Sequence, residues 1–183
     1  GPRLLPHFDP DLVGWLMPRF TELGVGVHTD STVTGVERDA DALLVRAVCR
    51  DGSELILPGD LVVHAAGRVP ALHDLDLEAG EVAVEDGRLQ LDDHLQSTSN
   101  ARVYAVGDAA GVGPPLTPVS SHDAKVVAAN LLGGGGQKPD YRGVPSVAFT
   151  VPPIAAVGLG EHEAQEKGLS YRVNAASTPE WFT

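Results

Sequence analysis

Apolar positions recur along this chain in two rhythms. In "FDPDLVGWLMPRFTELG", Leu12, Trp15, Leu16, Phe20 and Leu23 return every three or four residues, the spacing of one helix face. Asp9 stands ahead of them as an N-cap and Pro10 takes the first helical position, where its missing N–H costs nothing. Gly24 ends the segment, and Pro18 inside it predicts a bend, because an interior proline removes a hydrogen bond. Short alternating runs follow, "VGVHT", "TVTGVER", "ALLVRAVC" and "SELILP", which predict strands. The "RDGS" turn between the last two predicts a hairpin. "GDLVVHAAG" is almost unbroken in its apolarity and predicts a strand buried on both faces, as in a parallel sheet covered by helices.

Beyond "GRVPAL" the character changes. Residues 71–100 are acidic and loop-rich, with weak strand patterns near "VAV" and "LQL", and "VYAVG" is the second strongly apolar strand. "LTPVSSHDAKVVAANLLGGGG" predicts a second helix, with Thr117 as N-cap, Pro118 at its first position and four glycines as terminator. A flexible connection, "GGGGQKPDYRG", leads to a strand, turn, strand and helix in "VPSVAFTVPPIAAVGLGEHEAQEKG", and "SYRVNAAS" opens a further strand. No internal repeat is visible.

Composition narrows the classes of function. With 43% hydrophobic and 21% charged residues, the 183-residue chain has the make-up of an ordinary folded protein, large enough for one domain or two small ones. No apolar run reaches the roughly 20 residues of a membrane helix, and the start lacks the pattern of a signal peptide. A formal charge of −12 repels phosphate backbones and anionic lipid, so neither nucleic acid nor membrane is an expected partner. Cys49, the single cysteine, excludes an intrachain disulfide or a paired-thiol centre, and reads as a small core residue of a protein from a reducing cytoplasm. The seven histidines show no ligand spacing, so no metal site is expected. Ser120, His122 and Asp123 are adjacent in sequence, which is not the geometry of a triad. No catalytic residue is assigned.

The stretch "ARVYAVGDAAG" carries the chemistry. An apolar strand running into Gly107 and Asp108 either ends in a turn capped by the carboxylate or presents that carboxylate to a polar ligand. The helix opening at Thr117 adds free N–H groups and the positive end of its dipole, which suit an anionic or electron-rich group.

These segments, in this order, resemble the flavin-dependent pyridine nucleotide-disulfide oxidoreductases, the family of glutathione, lipoamide and mercuric reductases. The similarity lies in "GPRLLPHFDPDL", "LGVGVHTDSTVTGVE", "HAAGRVPAL", "TSNARVYAVGDAAG", "LTPVSSHDAKVVAANLLGG" and "VPSVAFTVPPIAAVGLGEHEAQEKG". It implies an α/β fold of incomplete Rossmann-like FAD- and NAD(P)-binding domains, followed by the start of an α+β dimerisation domain. Residues 1–70 would be the second half of the NAD(P)-binding domain, 71–143 the C-terminal part of the FAD-binding domain and 144–183 the start of the dimerisation domain. Asp108 would bind the ribityl chain of FAD, Gly107 would form its turn, and Leu116, Thr117 and Pro118 would line the flavin. Gly67 would lie near the nicotinamide cofactor. The implied reaction passes hydride from NAD(P)H through FAD to a disulfide or other acceptor, in a homodimer whose substrate is unknown. Pro6, standing where phosphate-reading relatives often have a basic residue, leans the choice towards NADH.

The departures imply the alternative. Neither family G-x-G-x-x-G turn is found, nor the C-x4-C dithiol, nor the C-terminal His-Glu pair. The chain therefore reads as an interior piece of such a reductase, inactive by itself. The competing reading is a non-catalytic folded piece or pseudo-enzyme that acts only in dimerisation or interaction.

Overall fold

The computed structural model describes residues 1–176, which separate into two compact units. One comprises Gly1–Ala65 with residues 147–176; the other is Ala66–Ser146.

In the first unit, helix α1 (Pro10–Glu22) begins as its sequence dictates, with Asp9 at the N-cap and Pro10 at the first position. Asp9 does not cap its own helix, however: its Oδ1 accepts the Glu161 N–H at 3.3 Å, at the start of the short helix α3 (Glu161–Glu166). Helix α1 runs on through Pro18. Its buried stripe is Val13 and Leu16, which join Phe8 and Ile154 in a small core with Leu12 and Phe20 packed against it. Trp15 and Leu23 fall outside that stripe, and Trp15 remains 53% exposed.

Strands β1 (Ser31–Asp39), β2 (Ala42–Cys49) and β3 (Glu54–Gly59) form an antiparallel meander. The expected "RDGS" hairpin is present. Asp51 Oδ1 accepts both the Ser53 N–H (3.0 Å) and the Ser53 hydroxyl (2.6 Å), while Gly52 supplies φ +83°. Cys49, expected in the core, is only half-buried, 3.6 Å from the Ser31 hydroxyl. The later hairpin pairs β6 (Ser146–Ala148) with β7 (Ile154–Ala156) and leads to α3.

The second unit holds a small hairpin, β4 (Val84–Glu85) with β5 (Arg88–Leu89), turned by Asp86 and Gly87, both at positive φ. Leu95 is fully buried with Ala105, Ala110 and Val127, although its own backbone sits at φ +64°. Burial of the whole side chain outweighs the roughly 1–2 kcal/mol that a left-handed conformation costs a non-glycine residue. Helix α2 (Thr117–Gly133) ends at Gly134, whose φ of +85° is the left-handed geometry glycine supplies. The glycine run is then closed by a two-bond clamp. The Gln137 N–H donates to Asn130 Oδ1 (2.8 Å), and Asn130 Nδ2 donates to the Gln137 carbonyl (2.9 Å).

Several expected strands are not formed. "VGVHT" is irregular, because the Val25 N–H closes the end of α1 by bonding the Phe20 carbonyl at 2.8 Å. Residues 60–67 form no strand, and Leu61 and Val63 stay 78% and 74% exposed. Among the described residues no neighbouring strand runs alongside them, so their apolarity has no sheet to enter; the β1–β3 meander and the β4–β5 pair are antiparallel. "VYAVG" contributes only the bridge between Gln96 and Tyr104. Residues 170–176 of "SYRVNAAS" are not a strand, and Ser177 lies outside the described residues.

Truncating Leu95 removes the centre of the second core. Leu95→Ala is expected to destabilise that unit by about 2–5 kcal/mol in a denaturant titration.

Candidate functional site

The second unit turns its chain sharply at Gly107. Val106 is extended (φ −134°, ψ 155°), and a single 3-10 turn follows at Gly107–Ala109, closed by the Ala110 N–H on the Gly107 carbonyl at 3.0 Å. Gly107 sits at φ +62°, and a Cβ there would press into the Ser120 side chain, 2.8 Å from its Cβ. Only glycine satisfies both demands.

Helix α2 faces this turn. Its residue Asp123 is fully buried, and Oδ2 accepts the Gly107 N–H at 2.9 Å. Oδ1 accepts the Tyr141 hydroxyl at 3.0 Å. Burial pushes the Tyr141 phenol well above its ordinary 10.0, and the hydrogen bond to Asp123 pushes it the same way. His122 is half-buried on the same helix. Its Nε2 accepts the Asp140 N–H at 3.1 Å, and its ring stands edge-on to Tyr141 with centroids 6.2 Å apart. The imidazole is thus occupied by the 140–142 loop. There the Arg142 guanidinium holds the exposed Asp140 carboxyl well below the carboxylate range.

The sequence-derived residues gather around this frame. Asp108 is exposed, and among the described residues its carboxylate has no hydrogen-bond or ion-pair partner. It lines a depression of about 480 Å³ together with Ala109, Pro115 and the run Arg68–Ala71. Gly67, at φ +104°, immediately precedes that run in the chain. Thr117, expected as N-cap, is the first helical residue; Leu116, half-buried and extended, holds the cap position. Val119 and Ser120 direct their N–H groups to the Leu116 carbonyl (2.9 and 3.1 Å), and Pro118 has none. Thr117 therefore carries the one backbone N–H of this first turn without a partner among the described residues, and no side chain caps the helix. Thr117 and Pro118 are exposed.

Asp123, considered from the sequence only as a member of a rejected triad, and Tyr141 were not among the predicted site residues. A signal existed: Val119, Asp123, Val126, Val127 and Asn130 form the buried stripe of α2, so a carboxylate sits in register with the apolar positions. Among the described residues no three His, Cys, Asp or Glu side chains gather as a metal site would require, and no helix is long and apolar enough to cross a membrane.

Comparison with known proteins gives consistent matches. A family model described as pyridine nucleotide-disulphide oxidoreductase matches residues 1–124. The chain is 36% identical over 178 residues to a mercuric reductase of Bacillus cereus, covering 97% of this chain and 27% of that one. It is 44% identical over 110 residues to an uncharacterized 19.7 kDa protein in a mercuric resistance operon of Staphylococcus aureus, covering 60% of this chain and 61% of that protein. A dihydrolipoyl dehydrogenase of Bacillus subtilis is 32% identical, over 92% of this chain and 36% of its own. Among solved structures, a Cu(II) complex of the HOCl-induced flavoprotein disulfide reductase RclA from Escherichia coli superposes with a TM-score of 0.77 at 28% identity, covering 91% of this chain and 36% of that one. The chain thus spans about a quarter to a third of the two reductases and the dehydrogenase just described.

Because the fold holds Tyr141 protonated, its contribution to stability is complete below pH 10 and drains as pH rises above that value. The alkaline fall in stability should be shallower in Tyr141→Phe than in the parent, as read by melts across pH 9–12. Gly107→Ala should cost at least about 1–3 kcal/mol through strain at positive φ, and more from the contact with Ser120, in the same denaturant assay.

Proposed function

The chain belongs to the pyridine nucleotide-disulphide oxidoreductase family, which depends on FAD and NAD(P), and from that premise we propose that it supplies the ribityl- and flavin-facing part of an FAD site. The observation that carries this reading is the pairing of an Asp108 carboxylate, unpartnered among the described residues, with a helix start at Thr117 that no side chain among them caps, both set by one turn and one helix of the same unit. A carboxylate with all its acceptor positions open suits the hydroxyls of a ribityl chain. A free N–H at the positive end of a 17-residue helix suits the electron-rich edge of a flavin. The fit is one of donor and acceptor types.

In this reading Asp108 accepts hydrogen bonds from the sugar-alcohol chain. The Thr117 N–H donates to the ring edge, and Leu116 and Pro118 offer apolar contact. Gly107 makes the turn, and Gly67 leaves room on the nicotinamide side. FAD, when bound, supplies the two-electron chemistry that carries hydride from NAD(P)H to a disulfide or other acceptor. The protein's share is orientation and charge. Pro6 favours NADH. Residues 1–70 act as NAD(P)-binding, 71–143 as FAD-binding and 144–183 as the start of a dimerisation domain. The bounds of the second unit, Ala66–Ser146, lie close to those of the FAD-binding segment in this reading, while the segments before and after it fall together in the first unit.

The second reading is a non-catalytic interaction protein, in which these segments hold no flavin. A visible absorption spectrum of the chain, before and after FAD is added and the excess removed, separates the two. Retained flavin bands near stoichiometric amounts are expected. Asp108→Ala should then weaken binding about 10–100-fold, the worth of a charge-assisted hydrogen bond at about 1.5–3 kcal/mol. A colourless chain that ignores FAD would overturn the flavin reading and leave the second.

A further inference from the structure

A fully buried carboxylate is costly, and α2 could have placed another valine at position 123, in line with Val119, Val126 and Val127. Among the described residues no lysine or arginine pairs with Asp123; both of its partners are neutral donors. What the carboxylate holds explains its presence. At the end of the extended run, the Ala105 N–H bonds the Leu95 carbonyl at 3.1 Å, but the Gly107 N–H has no strand among the described residues to receive it. Asp123 takes that donor. On its other side Gly107 accepts the Ala110 N–H, so the residue is tied at both its N–H and its carbonyl. Asp108, next along the turn, is left with only its side chain to place. Tyr141 fixes the second oxygen of Asp123 and so stops the carboxylate from rotating about its own axis.

We propose that Asp123, oriented by Tyr141, is the positioning residue of the Gly107–Asp108 turn. It sets where the Asp108 carboxylate stands in the flavin site, an inference that rests on the reading of that site given above. Asp123 touches no ligand; it acts through the Gly107 N–H. The role asks for acceptor geometry rather than charge. Asparagine keeps it, with Oδ1 accepting from Gly107 and Nδ2 donating to the Tyr141 oxygen.

The test compares the full chain with its Asp123→Ala, Asp123→Asn and Tyr141→Phe variants by two measurements, amide hydrogen exchange at Gly107 and Ala110, and FAD titration. In Asp123→Ala, exchange at Gly107 should quicken at least about tenfold and the Kd for FAD should rise by a similar factor, about 1.4 kcal/mol each. Asp123→Asn should keep both within about threefold of the parent, and Tyr141→Phe should fall between. Protection of Gly107 that survives Asp123→Ala overturns the proposal, as does any variant that frees Gly107 while leaving FAD affinity unchanged. Should Asp123→Ala fail to fold, Tyr141→Phe and Asp123→Asn carry the comparison, and affinity must follow Gly107 protection. If the parent chain takes up no FAD, the flavin reading is what has failed. Loss of Ala110 protection in Asp123→Ala then still upholds Asp123 as the holder of the turn, and unchanged protection overturns it.

Discussion

The second unit depends on one hydrogen bond, from the Gly107 N–H to a carboxylate taken entirely out of water. Around it the other features fall into place. The chain arrives extended and must turn at a residue whose φ is positive, which only glycine tolerates at the distance Ser120 imposes. The turn leaves Asp108 facing outward without a partner among the described residues, beside the uncapped start of the helix that supplies the acceptor. A single helix thus provides both the internal anchor, through its buried face, and the free N–H, through its first turn.

The parts legible in the sequence were those whose physics is local. Pro10 and Pro118 announce the helix starts to within a residue, and the glycines after Leu132 announce an end. Asp51 and Gly52 specify their hairpin through a side-chain bond two residues long. The parts that were not legible depend on residues far apart in the chain. The composition of residues 60–67 reports how well they would suit a buried strand, not whether a neighbouring strand exists to pair with them; Leu61 and Val63 lie open. Trp15 fits the helical spacing as well as Leu16, but the core set by Phe8 and Ile154 lies to one side of it.

The candidate site divides the same way. Gly107, Asp108 and Thr117 stood out because small and polar residues interrupt an apolar run. Asp123 was hidden among polar neighbours, Ser120, Ser121 and His122, and its meaning emerges only against the apolar stripe of its helix. Tyr141 had no local signal at all, since its partner lies 18 residues earlier. Asp9 shows the converse: a residue correctly placed at a helix start whose side chain serves another helix 152 residues away.

The clamp between Asn130 and Gln137 separates two properties that a loop usually couples. Four consecutive glycines carry more conformational freedom than any other run of that length, yet both bonds of the clamp are made by the residues on either side of them. The chain therefore leaves the end of α2 from a fixed point in a fixed direction, whatever path the glycines take between. Their number is then free to drift in evolution at a loop-closure cost that grows only logarithmically, about 0.6 kcal/mol per doubling. A substitution at Asn130 would instead shift everything that leads to Tyr141. The polar side chain buried beneath the loop, not the loop itself, is where this segment resists change.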